Sequence, residues 1–172
     1  MLTLLLLRHA KSSWEVPALA DYDRPLAKRG QKNAPRMGAE IAALGLRPEL
    51  ILCSGAARTR ETLALALAAW GNPPPQVVYD DQIYMASPAA LMKLLRGLPD
   101  APARVMIVGH NPGLEELSEE LVGSGDAAAR ELIASKFPTC ALAVFTFEVA
   151  SWGDIAPGAG TLAHFLTPAR LT

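Results

Sequence analysis

Cysteine is scarce: Cys53 and Cys140 are the only two in 172 residues, far apart and each beside an apolar run. That spacing argues against a disulfide framework or a zinc site and points to reduced, buried thiols. Histidine is also sparse, and His9, His110 and His164 lack the close spacing of a metal-ligand set. "GSGD" at 123–126 lacks the Gly-Lys-Ser/Thr of a P-loop. No metal and no cofactor is therefore expected. Neither charge sign dominates: the formal net charge is −1, and charged residues make up 19% of the chain. Nucleic-acid and polybasic membrane surfaces are not expected, so any positive field must be local. The opening apolar run, Leu4 to Leu7, stops at Arg8 with no basic region ahead of it. It is too short for a membrane span or a signal-peptide core, and a cytoplasmic protein is the expectation.

What the chain does have is a 51% apolar composition, enough for one hydrophobic core, and residues 1–172 are expected to form a single domain. Short apolar runs at Leu2 to Leu7, Leu50 to Cys53, Val77 to Tyr79, Val105 to Val108, Ala141 to Phe147 and Leu162 to Leu166 read as strands. Helical spacing fills the gaps, over Lys28 to Leu44 (stopped by Gly45) and over the Ala/Leu-rich segment Ala57 to Trp70. Ser87-Pro88 and Asn111-Pro112 read as N-cap and first-turn pairs, and Asp126 reads as a further N-cap after a turn at Gly123 to Gly125. Alternating strand and helix predict a three-layer α/β/α sandwich with a largely parallel sheet. The last two strands are expected to add a hairpin or an antiparallel edge.

In such sheets ligands bind beyond the carboxyl ends of the strands. Arg8, His9, Lys11, Ser12 and Ser13 follow the first strand; Ser54, Arg58, Arg60 and Thr62 the second; Gly109, His110 and Asn111 the fourth. A neutral imidazole can attack phosphorus near pH 7 if the phosphate's charge is offset, and arginine forks offset it in bidentate fashion. Each piece alone has a structural explanation. Arg58 and Thr62 at i and i+4 read as a helix-surface pair, Glu115, Glu116, Glu119 and Glu120 as a solvated helix face, and His164 as a strand residue. It is the order of the pieces and their shared end of the sheet that point to phosphoryl chemistry.

"LLLRHAKSSW", "SGAARTRET" and "MIVGHNPG" resemble, in that order, the three signatures of the histidine phosphatase superfamily, and are most similar to its short SixA-type phosphohistidine phosphatase branch. The resemblance implies a phosphoglycerate mutase-like fold. It also implies a phosphorylated nucleophile at His9, with Arg8, Arg58 and His110 completing the phosphate pocket. Lys11, Ser12, Asn111 and Arg24 are further candidates for holding substrate. The chain departs from the usual wording at Ala10, where Gly is common, and at Gly55, where Pro is common. Where larger relatives carry an acid after the third strand, "DQIYMAS" offers Tyr84 and Met85. Asp21 and Asp23 are the remaining candidate acids, and otherwise solvated charges beside Arg24. A phosphoramidate has a better leaving group than a sugar phosphate, so a missing acid favours phosphohistidine. The expected substrate is a phosphohistidine on a signalling protein, with inorganic phosphate as product. A small phosphorylated metabolite is the alternative, and a non-catalytic phosphate- or phosphoprotein-binding module the reading from another class.

Overall fold

A computed structural model describes residues 1–171. Seven strands, β1 (Leu2–Arg8), β2 (Leu50–Cys53), β3 (Gln76–Tyr79), β4 (Arg104–Gly109), β5 (Val122–Gly125), β6 (Leu142–Phe147) and β7 (Gly160–Leu166), form one sheet in the order β3-β2-β4-β1-β6-β7-β5. Five helices, α1 (Lys28–Ala43), α2 (Ala57–Leu67), α3 (Pro88–Arg96), α4 (Gly113–Leu121) and α5 (Ala127–Ser135), cover it. Among the described residues, no helix is long and apolar enough to cross a membrane.

β1 sits in the middle of the sheet, and its leucines explain why. Leu4 to Leu7 are all fully buried, as a strand covered on both faces requires. Leu2, Leu4 and Leu6 join a core with α3, α4 and α5, while Leu5 and Leu7 join a second core with α1 and α2. The three-layer sandwich is thus built from the period-2 alternation of one strand.

α1 buries Ala34, Met37 and Ile41 at helical spacing and ends at Gly45, whose φ of 68° suits glycine. Ser87 caps α3 through Ala90 N–H, and Asp126 caps α5 through Ala129 N–H. Asn111 caps nothing, contrary to the sequence expectation. The Asn111–Pro112 peptide is cis, α4 begins at Gly113, and the Asn111 side chain turns instead toward the Phe137 carbonyl.

The last two strands do pair antiparallel, but not at an edge. β6 runs against β1 on one side and β7 on the other, the other six strands point one way, and β6 lies inside the sheet. The edges are β3 and β5. β5 occupies the glycine-rich stretch read from sequence as a turn, and it exists by parallel pairing with β7.

Candidate active site

Three neighbouring strands, β2, β4 and β1, end together and present the polar residues that follow their apolar runs. The register carries β1 and β4 level to Arg8 and Gly109, and His9 N–H then bonds the Gly109 carbonyl at 3.1 Å. His9 and His110 therefore emerge side by side, with ring centroids 5.3 Å apart. His9, Arg58 and His110 are buried, and Arg8 is half-buried.

The His9 backbone is fixed on both sides, since its carbonyl also accepts from Cys140 N–H at 2.9 Å. Its Nδ1 lies 2.7 Å from the Ala10 carbonyl. A carbonyl only accepts, so Nδ1 carries the proton and Nε2 keeps its lone pair. Ala10 N–H donates to Thr62 Oγ1 at 2.9 Å, and Thr62 Oγ1 donates to the Arg58 carbonyl at 2.7 Å. Arg58 and Thr62 are thus a buried pair tying the first turn of α2 to the loop after β1, and not a surface pair.

Burial lowers His9 to about 3, with His110, Arg58 and Arg8 adding to the effect and the bond to Ala10 opposing it. His110 falls to about 4, again chiefly through burial. Both rings are neutral at physiological pH. His110 Nε2 lies 2.7 Å from Ser54 Oγ, and its Nδ1 is buried without a partner among the described residues.

Arg8 donates to the Phe137 carbonyl at 3.0 Å, and Asn111 Nδ2 reaches the same oxygen at 2.9 Å. The Arg8 Nε and Asn111 Oδ1 atoms are buried without partners among the described residues. Arg58 grips Asp21 twice, at its carbonyl (2.7 Å) and at Oδ2 (3.0 Å). Asp21 also accepts from Tyr84 Oη and Arg24. The Tyr84 hydroxyl above all holds the Asp21 carboxyl down to about 2; desolvation opposes it, and the Arg58 and Arg24 guanidiniums add to the lowering. In return, Asp21 raises the Tyr84 hydroxyl above its usual range. Asp21 is a charged clamp on Arg58, ionised at neutral pH, and Asp23 is exposed.

Arg24 is buried and braces the loop after His9. It donates to Ser12 Oγ and the Ser13 carbonyl and stacks on Trp14 at 3.2 Å. Ser12 is therefore occupied by Arg24. Lys11 holds the start of α1 through its backbone, its carbonyl accepting from Ala27 N–H at 2.8 Å. Ser54, Tyr84 and Thr62 join the site without having been singled out for it. Ser54 and Thr62 stand among the residues after the second strand, which is the signal that could have found them. Cys53 and Cys140 are free and buried, and burial pushes both thiols up to about 12. Among the described residues no group of three or more His, Cys, Asp or Glu is placed to hold a metal ion.

Residues 4–83 match the family model described as histidine phosphatase superfamily (branch 1). An uncharacterized protein of Mycobacterium tuberculosis strain H37Rv is 35% identical over 94% of this chain and 99% of its own. A crystal structure from Agrobacterium tumefaciens, provisionally named phosphohistidine phosphatase SixA, is 32% identical, covers 97% of this chain and 98% of its own, and superposes with a TM-score of 0.80. The chain belongs to the histidine phosphatase superfamily. A second structure under that provisional name, from Nakamurella multipartitia, reaches a TM-score of 0.83 at 27% identity over 97% of this chain and 96% of its own. Within the superfamily the chain is SixA-like, and the membership supports a phosphatase, a hydrolase of phosphorylated compounds.

Its departures from the usual histidine phosphatase wording have local physical explanations. Ala10 is fully buried and its φ is negative, so the loop does not need glycine's freedom there. At Gly55 a Cβ would lie 2.3 Å from both Tyr22 Oη and Asp81 Oδ1, which hydrogen-bond each other at 2.7 Å. Glycine leaves room for that tie, which joins the Tyr22 turn to the turn that carries Tyr84.

Proposed function

We propose that the protein is a metal-independent phosphatase working by two displacements through a phosphohistidine at His9, and that its substrate is phosphohistidine on a signalling protein in the cytoplasm. The observation that carries the reading is the His9 tautomer: the Nδ1 bond to Ala10 leaves a lone pair on Nε2, in a neutral ring beside two guanidiniums and a second histidine. The Nε2 lone pair attacks phosphorus. The substrate P–N bond breaks, and the leaving imidazole keeps the electron pair and takes up a proton. Arg8 and Arg58 offset the charge on the equatorial oxygens and the neutral His110 ring adds a hydrogen-bond donor, so the protein's own groups supply the electrostatic stabilisation. Water then attacks phosphorus and gives up a proton, the P–Nε2 bond breaks, and inorganic phosphate leaves with His9 neutral again.

The preference for phosphohistidine is supported by the state of the groups near Arg58. Asp21 is ionised and Tyr84 holds its proton more tightly than usual, so neither is suited to protonating a sugar alkoxide. Turnover of phosphohistidine peptides and of a panel of sugar phosphates and nucleotides tests this. His9→Ala is expected to lose about 10⁴-fold or more in kcat while keeping the fold. Rapid quenching of wild type should trap an acid-labile, alkali-stable adduct. Sugar phosphate turnover matching that of the peptides would shift the reading to a metabolite phosphatase, and absence of any adduct would shift it to a binding module.

A further inference from the structure

A second concavity, of about 650 Å³, opens between α1, the end of α5 and the turn after β7. That turn follows Leu166, which is level with Leu142 and, one strand further, with Leu7, so the cavity lies at the same end of the sheet as His9. Phe165 forms part of its floor, and Arg29, Lys32, Arg36, Lys136 and Arg170 line it, with no carboxylate among the described lining residues. In a chain of net charge −1, five cations around one cavity are a local concentration of positive field. Arg36 is held by the Leu171 carbonyl and Asn33. Arg29, Lys32, Lys136 and Arg170 are exposed, and the ion pairs among the described residues are those of Asp21 alone.

The cavity and the phosphate pocket share their walls. Lys136, Pro138 and Thr139 face the cavity, while between and beside them the Phe137 carbonyl anchors Arg8 and Cys140 N–H anchors His9. On the other side the first turn of α1 rests on the loop after His9: a Cβ at Gly30 would lie 2.3 Å from the Lys11 carbonyl oxygen. One segment, 136–140, divides the two sites. A ligand must reach over it to engage both, which suits an extended chain better than a compact small molecule.

We infer that this cavity docks an acidic segment flanking the phosphohistidine of a protein substrate, so that Asp or Glu side chains enter the cationic rim while the phosphoryl group lies against His9. The inference rests on the phosphohistidine reading above. Its test uses two phosphohistidine peptides of equal length, one flanked by Asp and Glu, the other by Asn and Gln, and reads the ratio of their kcat/KM values within each protein. Because the ratio is internal, a partly misfolded variant does not distort it. Wild type should favour the acidic peptide by about tenfold at low ionic strength and less as salt rises. In Lys32→Glu/Arg170→Glu the ratio should fall to about one or below, with Lys32→Gln/Arg170→Gln in between. A wild-type ratio of one, or a ratio untouched by both variants, would overturn the docking role while turnover of the peptides left the phosphohistidine reading standing. Hydrolysis of sugar phosphates with neither peptide turned over would remove that reading, and the docking role with it.

Discussion

At His9 a single neighbouring residue sets both the orientation of the ring and its tautomer. The Ala10 carbonyl orients the imidazole, and the Ala10 amide is in turn held by Thr62. Thr62→Val keeps the shape and removes the acceptor, leaving a buried N–H unpaired at a cost of about 1–3 kcal/mol. The ring that hangs on that peptide should then sample poorer geometry, so kcat should fall by about tenfold with KM changing less, and Thr62→Ser should restore most of it. Urea unfolding together with steady-state kinetics would check both effects; a fully active Thr62→Val would show that the amide does not position His9. Sequence reasoning could bring Arg8, His9, Arg58 and His110 to one end of the sheet, together with Lys11, Ser54, Arg60 and Thr62, because all follow strand runs, and the resemblance to the three family signatures is what singles out those four. The Phe137 carbonyl that anchors Arg8 could not be found that way, since a backbone oxygen has no residue signature. The Asp21 clamp escaped for a different reason: it depends on a short loop folding back over α2, which no periodicity records.

Among the elements, α1 and α2 meet at closest range around Gly38. A Cβ there would lie 2.4 Å from the Ala66 carbonyl oxygen and 2.6 Å from its Cα, both backbone atoms that cannot swing aside. The Trp70 indole N–H, bonded to the Gly38 carbonyl at 2.7 Å, seals the same crossing. Gly38→Ala should therefore destabilise the fold by about 1–3 kcal/mol despite the better helix propensity of alanine, seen as a lower urea midpoint. An unchanged midpoint would mean that the helices separate freely. Element type was readable from period and caps, as at Ser87 and Asp126. Placement was less so: β6 could be seen as half of a hairpin, but its seat beside β1 is decided by the order of the sheet. β5 is invisible because Gly123 and Gly125 carry turn preferences that only pairing with β7 overrides.

For the whole molecule, the two buried imidazoles make stability depend on pH. Both rings bind protons less readily in the native state (about 3 and 4) than their ordinary value of 6.5. Below about pH 6.5 the unfolded chain takes up protons that the native chain refuses, so stability is full above that pH and falls toward acid. Asp21 has the opposite origin but the same direction, its contribution being present above the ordinary carboxylate value and lost as pH drops toward about 2, outside this window. Between pH 7 and pH 5 the two histidines together should remove about 4 kcal/mol. Urea unfolding at the two pH values would measure it, and His9→Gln/His110→Gln should flatten the difference. A wild-type protein equally stable at both would show that the rings are hydrated.

The sheet ends on both flanks in strands of only four residues, β3 and β5. An open sheet edge is a template on which another chain can polymerise, and brevity is one of the ways proteins blunt it. Here the two flanks are blunted by different chemistry. β5 contains two glycines and pairs with β7 across a register shift, which breaks the regular row of donors and acceptors. β3 is the more adhesive edge, with Val78 and Tyr79 exposed, and the Arg60 guanidinium, 4.0 Å over the Tyr79 ring, sets a charge beside that strand. A protein half apolar in composition thus keeps its most hydrophobic strand at the centre and leaves only short strands at its rims.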